Sequence, residues 1–505
     1  MAEVYIAGTG MIPFGKDPRP IHELLYDACN RALERSKGFV KSKQPDFLVI
    51  GAMDPIGYSG QGSLPAELMS SLGFDHKTEA CQVSLGSATG AQAVLTGRRL
   101  AESGKTVLVC FGEAAGYEHE GKHPDMTLAS VIPQSERELG LAKMIYVAAL
   151  GTDAYLRHYG ISEKEFREIA FQMTLNSRRF GALNEFAYFK KEVTKAEYDD
   201  CVKNKIQASP LTTLDCSASQ YSGAGAVLLV PNQTDIKLTS VKTASVTPSY
   251  LKRPNLITLD SIVYAGRNAF IDANLNPHEI DICALHDAFK SVPFVFAENS
   301  GLATRGKGAE FVLNGKNYQG KEVGINLCGG LLARTHPVGA SGGAQLVELV
   351  RQLRREAQYS KMPQLDKADY ALWFSMNGFG TNSIVGIVEK TNPGKKRLGL
   401  SEANLASPFV PQTAKGRIRD RIYGRLTNIN RVDAMTYIPN NGDETYMFIV
   451  DTNEGKRLGI SNSPLEEGKI RFVDDRTLDD FSGIELLRNA FLVIGRKFPW
   501  LRRNT

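Results

Sequence analysis

Two stretches of this chain, 253 positions apart, are written alike. "GSATGAQAVLTGRRL" (residues 86–100) stands in register with "GASGGAQLVELVRQL" (339–353). Gly90-Ala91-Gln92 falls on Gly343-Ala344-Gln345, Arg98 on Arg351 and Leu100 on Leu353. Each copy packs small residues into a turn, continues as an apolar-periodic helix, and is followed by a strand ending in glycine, "TVLVCFGE" or "YALWFSMNG". A repeat between like elements in like order predicts a duplicated α/β unit, and so a chain that folds as two related halves. Only the second copy is preceded by a His-Pro pair, His336-Pro337.

The rest of the sequence supplies the surroundings of that unit. At 505 residues the chain exceeds what one core organises, so two or three domains are expected. Near the start, "EVYIAGTG", "PDFLVIGAM" and "KTVLVCFGE" read as strands and "IHELLYDACNRALERS" as a helix. Residues 142–206 read as long helices with no strand between them, an insertion in the first half. The sheet returns at "SGAGAVLLVP", and the alternation resumes with "SIVYAGRNAFIDA", "IDICALHDAF" and "DYALWFSMNGFG". The expected boundaries are residues 1–115 with 207–248 for the first half, 116–206 for the helical insertion, 249–392 for the second half and 393–505 for a linker and an added module. "NPGKKRLG" and "SPFVPQTAKG" mark the linker. "GRIRDRIYGRLTNI", "VDAMTYIPNNGDETYMFIVD" and "KRLGISNS" read as β segments, with a turn at "PNNGD" and "GIELLRNAFLVIG" as a closing helix. Lys415, Arg417, Arg419, Arg421 and Arg425 alternate with apolar residues, which suits either a solvated strand face or a surface for phosphates or an acidic partner.

Bulk properties narrow the function classes. Sixty basic residues against 55 acidic leave a net charge of +5, too little to favour nucleic acid as a partner. No run of about 18 apolar residues suggests insertion into a membrane. "MAEVYIAGTGMIPFGK" reads as a strand and glycine turn rather than a signal peptide, and the terminal "LRRNT" is not the Ser-Lys-Leu peroxisomal address, so cytoplasm is the expected location. The seven cysteines are scattered, with no Cys-x-x-Cys pair and no Cys/His metal spacing, which suggests reduced thiols and no metal.

Glycine turns that open into helices leave free N–H groups and a positive partial charge beside a backbone a ligand can approach. A nucleophile placed there would have donors for a developing oxyanion, which favours acyl chemistry. Two histidines could serve such a site. His286 follows the strand "ICAL", and His336 is stiffened by Pro337. A lone histidine is more often structural. Two at matching ends of a duplicated unit, where α/β proteins bind ligands, argue for a site.

The same residues carry a resemblance to the thiolases, most of all to the sterol-carrier-protein type and its thiolase-like relatives. It runs over about 390 residues, through "AGTGMIPFGK", "YGISEKEFREIAFQ", "LTTLDCSASQYSGAGAVLLV", "HDAF" and, most specifically, "GGLLARTHPVGASG" (329–342), where Thr335 replaces the family's glycine before the histidine. The resemblance implies the thiolase fold: two pseudo-symmetric α/β halves layered α-β-α-β-α, with a helical loop domain and here an extra C-terminal β-rich, OB-like module. It implies acyl transfer between coenzyme A and a cysteine, with a second cysteine as acid and base. It also implies a homodimer formed through the first half, although the added module leaves a monomer open.

The chain departs from that pattern at both cysteines. Where the sterol-carrier type opens its nucleophile helix with Cys-Ser-Thr-Gly, this sequence has Ser87, with Thr89, Gly90, Ala93, Arg98 and Leu100 holding the register; Cys81 lies six residues earlier. The second cysteine is replaced by Ala288 in "HDAF" and Met376 in "MNG", and Cys283 and Cys328 read as core. A serine is deprotonated only as it attacks, and its ester transfers an acyl group less readily than a thioester. The expected function is therefore an acyl-coenzyme A-binding thiolase-like protein with weak or absent acetyl-CoA acetyltransferase activity. Its site would be Ser87, His286, His336 and Gly378, with the N–H groups of Ser87 and Gly378 as an oxyanion hole and His336 as a candidate base toward Ser87. Asp287, next to His286, is expected to point elsewhere. Two alternatives stand beside this reading: an active acyltransferase or thioesterase using Ser87 or Cys81, and a non-catalytic scaffold or partner subunit.

Overall fold

A computed structural model describes residues 2–40, 44–118, 129, 131–138, 140–253, 255–357, 362–394, 397–405, 429–440, 443–452, 455–461 and 471–472. The strands in chain order are β1 (Tyr5–Met11), β2 (Phe47–Gly51), β3 (Glu79–Val83), β4 (Val107–Ala114), β5 (Ile206–Ala208), β6 (Leu211–Thr212), β7 (Ser222–Val230), β8 (Ile236–Ser245), β9 (Ile282–Ala284), β10 (Gly324–Ile325), β11 (Tyr370–Asn377), β12 (Asn382–Lys390), β13 (Ile429–Asn440), β14 (Asp443–Thr452), β15 (Gly455–Ser461) and β16 (Arg471–Phe472).

Ten of them form one sheet in the order β10-β9-β11-β12-β8-β1-β7-β4-β2-β3. Read outward from the centre, the first half runs first, last, fourth, second, third strand (β1, β7, β4, β2, β3), and the second half repeats that order (β8, β12, β11, β9, β10), so β8 opens the second half and the boundary falls before Ile236 rather than after residue 248 as expected. Duplication is thus written in the topology as well as in the sequence. The halves join where Tyr5 of β1 pairs with Lys237 of β8. Within the first half the strands mix parallel and antiparallel neighbours: β2 runs parallel to β3 and β4, whereas β4 is antiparallel to β7. The second half does the same, with β9 parallel to β10 and β11, and β11 antiparallel to β12.

Strand alternation builds the layers. Val107, Val109 and Phe111 of β4 face one core, shared with the helix Thr89–Ala101 and with Leu346, Val347 and Val350 of the helix Ser341–Leu353. Leu108 and Cys110 face another core, with the helix Ile21–Arg35. The corresponding inner face of the second half, Ala371 and Trp373 of β11 and Ile384 and Val388 of β12, closes on the same pair of central helices. On the far side, Leu372 and Phe374 of β11 and Val385 and Ile387 of β12 pack with the helices Asp260–Ala273 and Val292–Ser300. The result is helices, half-sheet, two central helices, half-sheet, helices: the five layers expected.

Between β4 and β5 lie the helices Gln134–Glu138, Met144–Tyr159, Glu163–Leu183 and Lys195–Asn204. Ser162 and Thr194 start the last two with reciprocal capping boxes to Glu165 and Glu197. Fully buried Lys290 of the second half ties to this insertion by donating to Ala170 O and Thr174 Oγ1, and its Nζ pairs with the equally buried Asp215 at 2.7 Å. Towards the C-terminus β13–β16 form a separate antiparallel sheet, with Asn440 paired to Asp443 across the hairpin at "PNNGD". The basic run from Lys415 to Arg425, the closing helix "GIELLRNAFLVIG" and any OB-like closure lie outside the described residues.

Candidate active site

The first component sits where β3 gives way to the helix Thr89–Ala101. Cys81 is in the middle of β3, paired with Val49, and burial raises its thiol pKa. The chain then turns through Gly86 at φ +51°, and Ser87 stands just ahead of the helix. Thr89 fixes the turn, its hydroxyl donating to Gly86 O (2.6 Å) and accepting from Leu85 N (2.8 Å). Gly86 is required twice over: for its left-handed backbone, and because a Cβ there would meet Asn377 Oδ1 at 1.9 Å. Half-buried Ser87 donates its hydroxyl proton to the carbonyl of Met376, at 2.8 Å.

That carbonyl belongs to the end of β11, and the same strand end gathers the other candidates. Gly378 follows at φ +59°, where a Cβ would meet the Tyr250 hydroxyl at 2.5 Å. His286, just past the end of β9, packs its ring 6.3 Å from Phe374 of β11 and 5.0 Å from His336, nearly perpendicular to the latter. Asn326 braces the His286 turn from both sides, accepting from Leu285 N (2.7 Å) and donating to Leu285 O (3.1 Å). His336 is held by its backbone N–H on Ala218 O (2.7 Å) and by its Nδ1 on Ser341 Oγ (2.7 Å). The structure therefore brings Ser87, His286, His336 and Gly378 around one strand end and leaves Cys81 on the sheet.

Both imidazoles are buried, and this sets their charge. Burial, with the nearby Arg334 guanidinium, pushes His286 down to about 3; burial, His286 and Arg334 hold His336 well below its ordinary value. Both rings are neutral near pH 7. Arg334 is itself fully buried, lies over the Phe14 ring at 5.1 Å and donates to Ser341 O at 3.4 Å. Asp287 does point away from the site: it accepts from Leu331 N at 2.7 Å and so anchors the helix Gly330–Arg334 that leads into His336. Burial raises its pKa to about 6.

Several contributors carry no signature that a reading of the sequence singles out. The Met376 carbonyl is a backbone group. Ser341 lies inside the repeat, but only its 2.7 Å contact gives it a role. Ser217 and Ala218 lie in a stretch that carries the family resemblance, but only their contacts place them at the border of the site: Ser217 N donates to Ala288 O, and Ala218 O accepts from His336 N. Glu113 is buried beneath the His336 loop, accepting from Met53 N (2.9 Å), and burial raises its pKa to about 8. Cys283 and Cys328 are buried, as expected of core residues, and burial raises both thiol pKa values. Among the described residues no group of three His, Cys, Asp or Glu side chains could hold a metal, and no helix is long and apolar enough to cross a membrane.

Comparison with known proteins places this architecture in a class. Residues 4–233 match the thiolase N-terminal domain and residues 243–390 the thiolase C-terminal domain-like family, so the chain belongs to the thiolases, which use coenzyme A substrates. Within that family it is similar to an acetyl-CoA acetyltransferase of Methanothermobacter thermautotrophicus, 28% identical over 77% of this chain and 100% of the relative. Among solved structures, a monomeric SCP2-thiolase like protein type 1 from Mycobacterium smegmatis shares the fold at a TM-score of 0.65 and 14% identity, covering 93% of this chain and 98% of the other. Human mitochondrial 3-ketoacyl-CoA thiolase in complex with CoA shares it at 0.56 and 18%, covering 77% and 98%.

Proposed function

We propose that this protein binds acyl-coenzyme A thioesters at the end of β11 and does not carry out ordinary thiolase turnover. The observation that carries the reading is the state of Ser87: a hydroxyl at the helix start, with its one proton committed to the Met376 carbonyl. A carbonyl oxygen is no general base, so this contact does not activate the serine. The two positions expected for the second thiol carry Met376 and Ala288, apolar side chains that are 2% and 5% exposed. Neutral His286 and His336 and the N–H groups of Ser87 and Gly378 would still serve as partners for a thioester carbonyl.

Incubating the protein with acetyl-coenzyme A and with butyryl-coenzyme A, followed by intact-mass and peptide spectrometry and a free-thiol assay, tests this. Saturable binding without an adduct or released coenzyme A is the expected result. An acyl adduct on Ser87 or Cys81, or steady release of free coenzyme A, would replace this reading with an active transferase or thioesterase. No binding at all would leave a scaffold or partner subunit.

A further inference from the structure

Ser87 offers more than the absence of a thiol. A serine hydroxyl has one proton and two lone pairs. Here the proton is spent on Met376 O, at 2.8 Å, and among the described residues no protein group donates to Ser87 Oγ. Ser87 is half-buried, next to the strand end that also gathers His286, His336 and Gly378. What it presents to a ligand is therefore an acceptor, the reverse of what an oxyanion hole presents.

We infer that Ser87 accepts a hydrogen bond from the 3-hydroxyl of a 3-hydroxyacyl thioester, and that the site prefers such thioesters to 3-ketoacyl ones. This rests on the reading that acyl-coenzyme A occupies the end of β11. The proposal places the thioester carbonyl on the imidazole and backbone donors and the substituent two carbons along the acyl chain against Ser87. A 3-hydroxyl supplies the proton that Ser87 Oγ lacks. A 3-keto oxygen has only lone pairs, so Ser87 can serve it only by withdrawing its proton from Met376 O and giving up that 2.8 Å bond.

The test is calorimetric titration of the full chain with butyryl-coenzyme A, acetoacetyl-coenzyme A and each enantiomer of 3-hydroxybutyryl-coenzyme A, repeated on Ser87→Ala and Ser87→Thr. One 3-hydroxy enantiomer should bind about tenfold more tightly than acetoacetyl-coenzyme A. The advantage should fall to about twofold or less in Ser87→Ala and persist in Ser87→Thr, which keeps the hydroxyl. Equal or tighter binding of acetoacetyl-coenzyme A, or a 3-hydroxy advantage that survives Ser87→Ala, overturns the inference. Butyryl-coenzyme A, which has neither group, separates the two levels: if it binds while the 3-hydroxy preference is missing, only this inference fails, and if no thioester binds, the reading beneath it fails too.

Discussion

The two copies of the glycine-to-helix unit meet the same backbone demands in different ways. Ahead of Ser87 the left-handed turn is made by Gly86, at φ +51°. Gly339, the residue in register with Gly86, has no positive φ; in the second copy the positive φ falls instead on Thr335, four residues earlier and just ahead of His336, at φ +85° and ψ 170°, a region that is essentially glycine's own. The helices differ as well. Ser341–Leu353 is buried along its whole length, whereas Thr89–Ala101 leaves Gln92, Thr96 and Arg98 partly exposed. Even the matched arginines have diverged: Arg351 is buried against Glu348 and Glu185, whereas Arg98 pairs with Glu102 and Asp272. A duplicated unit keeps its geometry where the copies touch each other and drifts where each faces its own surroundings.

The contact between the copies gives the sharpest test. A Cβ on Gly90 would lie 2.7 Å from Gly343 N and 2.8 Å from Gly339 O, so both neighbours are main chain and neither can rotate away. A Cβ on Gly343 would meet the ring of Phe111, a side chain, at 2.4 Å. Gly90→Ala should therefore cost about 3 kcal/mol or more in urea-induced unfolding, and more than Gly343→Ala. A Gly90→Ala protein as stable as the parent would mean that the two helices do not cross this closely.

That contact also marks the limit of what the sequence could convey. The repeat made the two halves legible, and unbroken helical periodicity the insertion, because periodicity and small-residue turns are local properties. The sequence presents its glycines as room for a ligand, and at Gly86 and Gly378 they do adjoin the site. Gly90 instead makes room for the main chain of the second copy, at Gly343 N and Gly339 O, and Gly343 for the Phe111 ring, contacts between distant segments that no local pattern carries. The site shows the same division. Ser87, His286, His336 and Gly378 were legible as residue types in motifs, whereas the Met376 carbonyl that takes the Ser87 proton, and Glu113 beneath the His336 loop, required the tertiary structure.

Glu113 lets the second copy be probed by pH. Its carboxyl is buried between Met53 and Gly339, and burial, helped by the like charge of Asp54, lifts its pKa to about 8. In the unfolded chain it ionises near the ordinary 4.5. The folded state therefore holds a proton that the unfolded state has lost, and stability falls as pH rises from about 4.5 to about 8, by about 1.36 kcal/mol per unit. Glu113→Gln has no proton to lose. Its stability relative to the parent should rise by about 2 kcal/mol between about pH 6 and about pH 8 in paired denaturation curves. The buried imidazoles act in the opposite sense: with pKa values lowered in the fold, they withdraw stability as pH falls below about 6.5. A constant difference between Glu113→Gln and the parent across that range would show the carboxyl to be ionised in the fold.

The smallest effect concerns the strained member of the pair. Thr335 carries two costs: a backbone conformation that L side chains rarely adopt, and a buried hydroxyl with no partner among the described residues. The first is of order 1–3 kcal/mol, and the second adds the desolvation of an unpaired group. Thr335→Gly removes both and gives back about 1 kcal/mol through the greater freedom of glycine in the unfolded chain. The variant should therefore gain about 1 kcal/mol in urea titration, whereas Gly86→Ala should lose stability, because its Cβ would run into Asn377. If Thr335→Gly is instead destabilised, the threonine makes a contact worth more than its strain, and the two turns differ in kind rather than in cost.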